Sequence, residues 1–310
     1  MAQYIARRLL MIIPTLIAIS LITFVIMHAT PGSPLQPMAA NANPLPPSAQ
    51  QALARKYGLD KPYWEQYLHY LRNIFTLDFG MSYQYQTREV KEIIWRTFPV
   101  SLHLGVMAMA VAIVLGIPFG VLAAINQNGP IDYAARVVAT LGVSVPNFIL
   151  ALFLIVIFVL LLPIVPRTGG WKSPIDWVLP TIALSLGPMG IIARYTRASM
   201  VEVMGQDFIR TAYAKGLAER QVIVRHVLKN GLIPPLTILG PMFAAIGTGS
   251  PFVEKIFRVP GMGRFFVDSL ISRDYPMIMA VILLYGAFLA LMNLLVDVLY
   301  GVVDPRIRLS

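Results

Sequence analysis

The 310-residue chain is 57% hydrophobic and only 13% charged, with a positive mean hydropathy, so the bilayer rather than water must be the solvent for most of it. Its net charge of +10 does not indicate nucleic acid, because the basic residues sit at the ends of apolar runs, where anionic lipid and the positive-inside bias account for them. With no cysteine, disulfides, thiol catalysis and Cys-based metal sites are excluded; four scattered histidines lacking HxH or HxxxH spacing give metal chemistry almost no support, and no cofactor is expected.

About 20 apolar residues cross a hydrocarbon core of roughly 30 Å, and by that measure the chain holds six candidate spans. The first, 9–29, follows Arg7 and Arg8; it is too long for a signal-peptide core and lacks a small-x-small cleavage site. The segment 30–97 comes next. It opens on prolines (Pro31, Pro34, Pro37, Pro44, Pro46, Pro47), continues as a helix over 48–57, and then turns through Gly58-Leu59-Asp60-Lys61-Pro62. Tyr63, Tyr67 and Tyr70 follow on one helical face, as an interfacial aromatic belt or as a docking surface.

Spans two and three are expected at 100–125 and 137–162, with a turn at 126–130 between them. The fourth covers 177–193, the fifth 232–253 and the sixth 275–300. Pro118, Pro146, Pro188, Pro241 and Gly247 inside these runs read as kinks or close helix contacts. The division is an N-terminal span 1–29, an extracytoplasmic segment 30–97, a core of five spans over 98–303, and a tail 304–310. With both termini inside, the short inner loops and ends hold 12 basic residues against 6 in the short outer loops; the seven in 30–97 count little, because long segments translocate largely regardless of charge.

The inner loop 194–230 is the most unusual stretch. It carries Arg194, Arg197, Arg210, Lys215, Arg220, Arg225 and Lys229 against only Glu202, Asp207 and Glu219. Two helices are expected in it, 198–215 ending at Gly216, and 218–230 with Ile223, Val224, Val227 and Leu228 on one face. A connector needs no such helices; a surface for a soluble partner does.

The stretch Arg210-Thr211-Ala212-Tyr213-Ala214-Lys215-Gly216-Leu217, closed by Leu232-Ile233-Pro234, resembles the EAA loop of binding-protein-dependent ABC importer permeases. Arg194-Tyr195-Thr196-Arg197 and Asp207-Phe208-Ile209-Arg210 resemble its oligopeptide/dipeptide/nickel branch. So, in order, do Thr30-Pro31-Gly32-Ser33-Pro34, Gly58-Leu59-Asp60, Ser144-Val145-Pro146, Pro260-Gly261-Met262-Gly263, Arg273-Asp274-Tyr275 and Asp304-Pro305-Arg306. The long segment after the first span matches the branch's first permease subunit. The motif's Glu is Arg210 here and its first Ala is Thr211, which argues against sugar transport rather than against a permease.

The resemblance implies an all-α polytopic protein with six transmembrane helices and the type I ABC importer permease fold, in a bacterial inner membrane. It also implies a heterodimer with a second homologous permease, two cytoplasmic ATPases and an extracytoplasmic solute-binding protein. A short helix around 212–220 would dock in a groove of one ATPase, with Arg210, Thr211, Ala212, Ala214, Lys215, Gly216 and Arg220 as the coupling residues. The implied cargo is an oligopeptide or dipeptide, with nickel chelates or glutathione as alternatives within the branch. Thr237, Thr248 and Ser250, beside Gly240, Gly247 and Gly249, either line the pathway or serve small-residue packing.

No catalytic motif appears: there is no GxxxxGKS/T, no GxSxG and no HExxH. The competing class is an ion-coupled secondary transporter, which needs ionisable residues near mid-bilayer. The only carboxylate read as well within a span is Asp297, roughly 10 Å from the inner end, where a partnership with a basic residue is the plain expectation.

Overall fold

The computed structural model describes residues 2–31, 47–85, 88–165 and 170–303. The proline-rich stretch 32–46, Arg167 and the tail 304–310 lie outside the described residues. Every named element is a helix, with one isolated antiparallel bridge between Met81 and Glu89.

Among the described residues five helices are long and apolar enough to cross a membrane, and a bent pair makes a sixth crossing if counted as one. α1 (Ala2–Ala29) lies at the periphery against α14 (Tyr275–Val303). Its ends are pinned by polar contacts. At one end Arg8 Nη2 and Tyr4 Oη both lie 3.1 Å from Asp297 Oδ2, which is the expected partnership of that carboxylate with a basic residue. At the other, Ser20 Oγ and Tyr67 Oη lie 3.0 Å apart, and Tyr275 Oη donates to the Met27 carbonyl at 3.3 Å.

Two short helices, α2 (Pro47–Tyr57) and α3 (Tyr63–Thr76), fill the segment before the second span. The tyrosine face of α3 packs inward: Tyr67 and Tyr70 lie against Phe24, Met27, Ile278 and Met279. Tyr63 and Trp64 stay largely exposed, so only part of the aromatic run is free to act as a belt.

The centre of the molecule is the pair α4 (Val90–Ile125) and α7 (Pro174–Met204). At 1.5 Å per residue they are about 54 and 46 Å long, so both overrun the hydrocarbon core. Small residues let their backbones touch. A Cβ built on Gly120 would fall 2.6 Å from the Ala193 carbonyl oxygen, a distance no real Cβ tolerates. The fourth span is therefore not confined to 177–193; α7 runs unbroken to Met204, carrying residues 194–204 as a continuation of its shaft.

The third span also departs from expectation. Instead of one run over 137–162, α5 (Pro130–Ser144) and a second helical stretch meet at 101°. That second stretch is α6 (Asn147–Ile155), continued by a π-helical turn over Val156–Leu161. The break falls where Val145 takes an extended backbone (φ −87°, ψ 118°) before Pro146, the conformation that a following proline favours. The fifth span, α11 (Ile233–Gly247), likewise ends early. Gly249 has φ +116°, and the chain re-enters helix only at α12 (Pro251–Ile256), before α13 (Gly263–Ser272).

Candidate functional site

Past Met204, Gln206 is extended and Asp207 starts α8 (Asp207–Ala214). This short helix is held by two inward residues, Ile209 and Ala212, buried with Met200, Val203, Ala124, Val222 and Val227. Arg210, Thr211, Ala214 and Lys215 face outward, with Tyr213 46% exposed. The expected helix 198–215 is thus two helices, split because Gly205 and Gln206 leave the α7 register.

α8 closes in a Schellman motif. Gly216 takes φ +78°, its N–H donates to the Tyr213 carbonyl at 2.9 Å, and the Leu217 N–H reaches the Ala212 carbonyl at 3.4 Å. Leu217 then packs against the same cluster that buries Ala212. A Cβ at Gly216 would meet no atom within 4 Å, so its glycine is required by the left-handed backbone alone.

The turn separates α8 from a second helical stretch, so the proposed docking helix over 212–220 is not one helix but two ends around Gly216. The second stretch is α9 (Glu219–Val222), a π-helical turn over Ile223–Val227, and α10 (Leu228–Gly231). The wider turn brings Val222 and Val227, five residues apart, to the inner face. The face read as Ile223, Val224, Val227 and Leu228 is corrected accordingly: Val224 is 54% exposed and Val222 is buried. Arg220, Arg225 and Lys229 are exposed, so with Arg210 and Lys215 they give the loop a basic outer surface.

Beneath the loop lies an ion cluster that periodicity did not reveal. Asp132 in the first turn of α5 is fully buried and receives Arg197 Nε at 2.5 Å and Nη2 at 2.7 Å. Arg136 Nη2 adds a contact at 3.0 Å and the Asn128 N–H one at 2.9 Å. A forked guanidinium on a carboxylate fixes orientation as well as distance, so the loop before α5 is tied to the α7 shaft two turns above α8.

The other residues singled out from sequence do not gather at this site. Thr237 is exposed on α11, with its hydroxyl 3.4 Å from the Ile233 carbonyl. Thr248 and Ser250 are buried roughly 16 Å further along. Thr248 Oγ1 donates to the Ala244 carbonyl at 3.0 Å, and the Ser250 N–H donates to Glu254 Oε1 at 3.2 Å.

Glu254, one residue past the expected fifth span, is a buried carboxylate that was not singled out from sequence. It is 1% exposed and accepts Ser101 Oγ at 2.7 Å and the Gly263 N–H at 2.7 Å, tying α12 to α4 and α13. The visible signal was a Glu inside an apolar run flanked by Gly247, Gly249, Gly261 and Gly263. Among the described residues no group of three or more His, Cys, Asp or Glu could hold a metal ion.

Residues 116–309 match the family model described as "Binding-protein-dependent transport system inner membrane component", and residues 1–105 match "Binding-prot-dependent transport system membrane comp, N-term". The chain belongs to this family of inner-membrane transport components. It is 47% identical over 309 residues to the dipeptide transport system permease protein DppB of Bacillus subtilis (strain 168), covering 100% of this chain and 99% of that protein. Against the oligopeptide transport system permease protein OppB of Escherichia coli (strain K12) the identity is 42% over 310 residues, with 99% and 100% covered.

Among solved structures, the inward-facing MetNI methionine ABC transporter superposes with a TM-score of 0.55 at 18% identity, over 69% of this chain and 97% of that one. An amino acid ABC transporter with histidines gives 0.52 at 15%, over 67% and 93%. The all-α, multi-pass fold is that of type I ABC transporter permeases, and as a member of the family the chain is a multi-pass inner-membrane protein.

Proposed function

We propose that the chain is the permease subunit of an ATP-driven importer that carries oligopeptides or dipeptides across the bacterial inner membrane. The observation that carries this reading is near-complete, full-length similarity to a dipeptide and an oligopeptide permease at 47% and 42% identity. In this reading a second homologous permease completes a heterodimer, one of two ATPases binds the loop 205–231, and a solute-binding protein delivers cargo to the opposite face. Both termini and the loop share the cytoplasmic side, and 30–97 lies outside.

Support for the coupling role comes from the loop's construction. Arg210, Thr211, Ala214, Lys215, Gly216 and Arg220 form an outward, basic surface, while Ala212 anchors it from below. Closure of the ATPases shifts the permease only through contacts that differ between its two states. A small rigid helix with a defined stop, fixed to the end of α7, is suited to make them. A secondary-transport mechanism finds less support, since Asp297 is paired with Arg8.

The test is Gly216→Asp in the reconstituted complex. The left-handed backbone costs a side chain roughly 1 kcal/mol, and no neighbouring atom obstructs it, so the protein should still insert and pair with its sister permease. Pull-down of the ATPases and ATP-driven peptide uptake should fail together, while Gly216→Asn, which accepts that backbone without a charge, should retain both. Normal ATPase association and uptake in Gly216→Asp would reject the coupling assignment.

A further inference from the structure

The third and fifth spans are both broken, and only one of the breaks is sealed. α5 and α11 each run 15 residues before the chain leaves the helix. That is about 22 Å at 1.5 Å per residue, so both breaks fall inside a hydrocarbon core of roughly 30 Å. The neighbours of α5 agree with that depth. A Cβ on Gly142 would fall 2.6 Å from the Leu186 carbonyl oxygen, and Leu186 lies about 18 Å along α7 from its start at Pro174.

At the α11–α12 break the protein supplies the partners. Thr248 and Ser250 are buried, the Gly249 N–H donates to the Ile246 carbonyl at 3.4 Å, and the Ser250 N–H donates to Glu254 Oε1. At the α5–α6 break it does not. Four residues beyond the Gly142 carbonyl stands Pro146, which has no N–H to give. Val145 (ψ 118°) and Pro146 (ψ 138°) are both extended, so the chain leads away and the Val143 and Ser144 carbonyls lose their intrahelical donors too. The Ile149 and Leu150 N–H groups turn to the Pro146 carbonyl at 3.0 and 3.2 Å, and neither reaches back to α5. Val143, Ser144, Pro146 and Phe148 are exposed here.

Irregular backbone at this depth does not face lipid; it lies against protein or lines water. A membrane helix of a second permease is a poor cover for it, because the helix has already bonded its own N–H groups. An extended peptide brings what the break lacks, free backbone N–H groups and an α-ammonium. Beside the carbonyls, Phe148 and Phe252 hold their ring centroids 5.7 Å apart and are 37% and 59% exposed, an apolar surface for peptide side chains. We propose that the α5–α6 break lines the translocation pathway and that its open carbonyls accept hydrogen bonds from the backbone of a peptide in transit. The assignment rests on the reading of the chain as a peptide importer. It gives Ser144-Val145-Pro146 a role that Thr248 and Ser250, both buried, do not fill.

The test is thiol protection in the reconstituted complex of both permeases, the ATPases and the receptor, with labelling of this cysteine-free chain read as its mass shift. Ser144→Cys and Phe252→Cys report on the break, and Leu21→Cys, exposed on the peripheral α1, is the control. Two reporters keep the test decisive if one variant fails to assemble. A small charged thiol reagent should modify the reporters at least about tenfold faster than the control, because the reacting thiolate forms in water and not in lipid. Dialanine or tetraalanine, supplied with ATP, should slow that reaction at least about twofold, as for a site occupied half of the time. Reporters as inert as the control would mean a dry contact with the second permease and would end the proposal. Fast labelling that neither peptide slows would end it as well, leaving a wet surface that cargo does not touch. Both outcomes leave the importer reading standing while the wild-type complex takes up peptide under ATP; no uptake at all would remove the two together.

Discussion

Removing the charge of Asp132 leaves two guanidinium groups, those of Arg197 and Arg136, facing a neutral side chain in a place where Asp132 has no solvent contact. Breaking one side of a buried pair typically costs about 3 kcal/mol or more, and the 20% exposure of Arg197 puts this case at the lower end. Asp132→Asn should therefore lower the thermal midpoint of the solubilised protein markedly. The double variant Asp132→Asn/Arg197→Gln should recover at least about 1 kcal/mol relative to the sum of the single changes. Strict additivity would mean that the two side chains are neighbours without energetic coupling.

At the scale of elements, the α4–α7 contact is the most demanding. Gly120→Ala places a methyl 2.6 Å from a backbone oxygen and against Thr196, so the helices must part or bend. Overpacking of this kind costs about 1–3 kcal/mol. The same change at Gly216, where the Cβ meets nothing, carries only the roughly 1 kcal/mol of a left-handed backbone, so Gly120→Ala should lower the thermal midpoint more; a larger loss at Gly216 would contradict the packing described. The crossings themselves were legible in the sequence because a bilayer sets a minimum apolar length. Helix ends were not, because hydropathy reports where lipid is and not where a helix stops. The run past Ala193 contains no glycine or proline before Gly205, and α7 continues accordingly. The right angle at Pro146 was visible as a proline but not as an angle, since neighbouring helices decide how far a break opens. The register of 219–231 was misread because one wide turn shifts every later side chain. The partners Asp132 and Arg197 stand 65 positions apart, beyond any periodic signal. In the candidate site, Gly216 was readable as a helix stop, whereas the inward turn of Ala212 depended on tertiary packing.

Across the whole molecule, the charge bias predicts which face meets which compartment. The chain has no native thiol, so single cysteines report without background. Gln51→Cys on α2 and Gln221→Cys on α9 are both exposed positions. In intact cells an impermeant thiol reagent should label the first and spare the second. The reverse pattern would invert the orientation and detach the basic loop from any cytoplasmic ATPase.

For α7 turning as a rigid rod, the Asp132–Arg197 pair would be its fulcrum. Arg197 lies about 10 Å along the axis from the end of α7 at Met204 and about 34 Å from its start at Pro174. A rod pinned there, with α4 bound along it, swings its far end roughly three times as far as the end that carries α8. Spin-label distances from Val178 and from Arg210 to fixed points on α14 should change in about that ratio when nucleotide binds the assembled complex. With Asp132→Asn the pivot is released, and the amplification should fall toward unity.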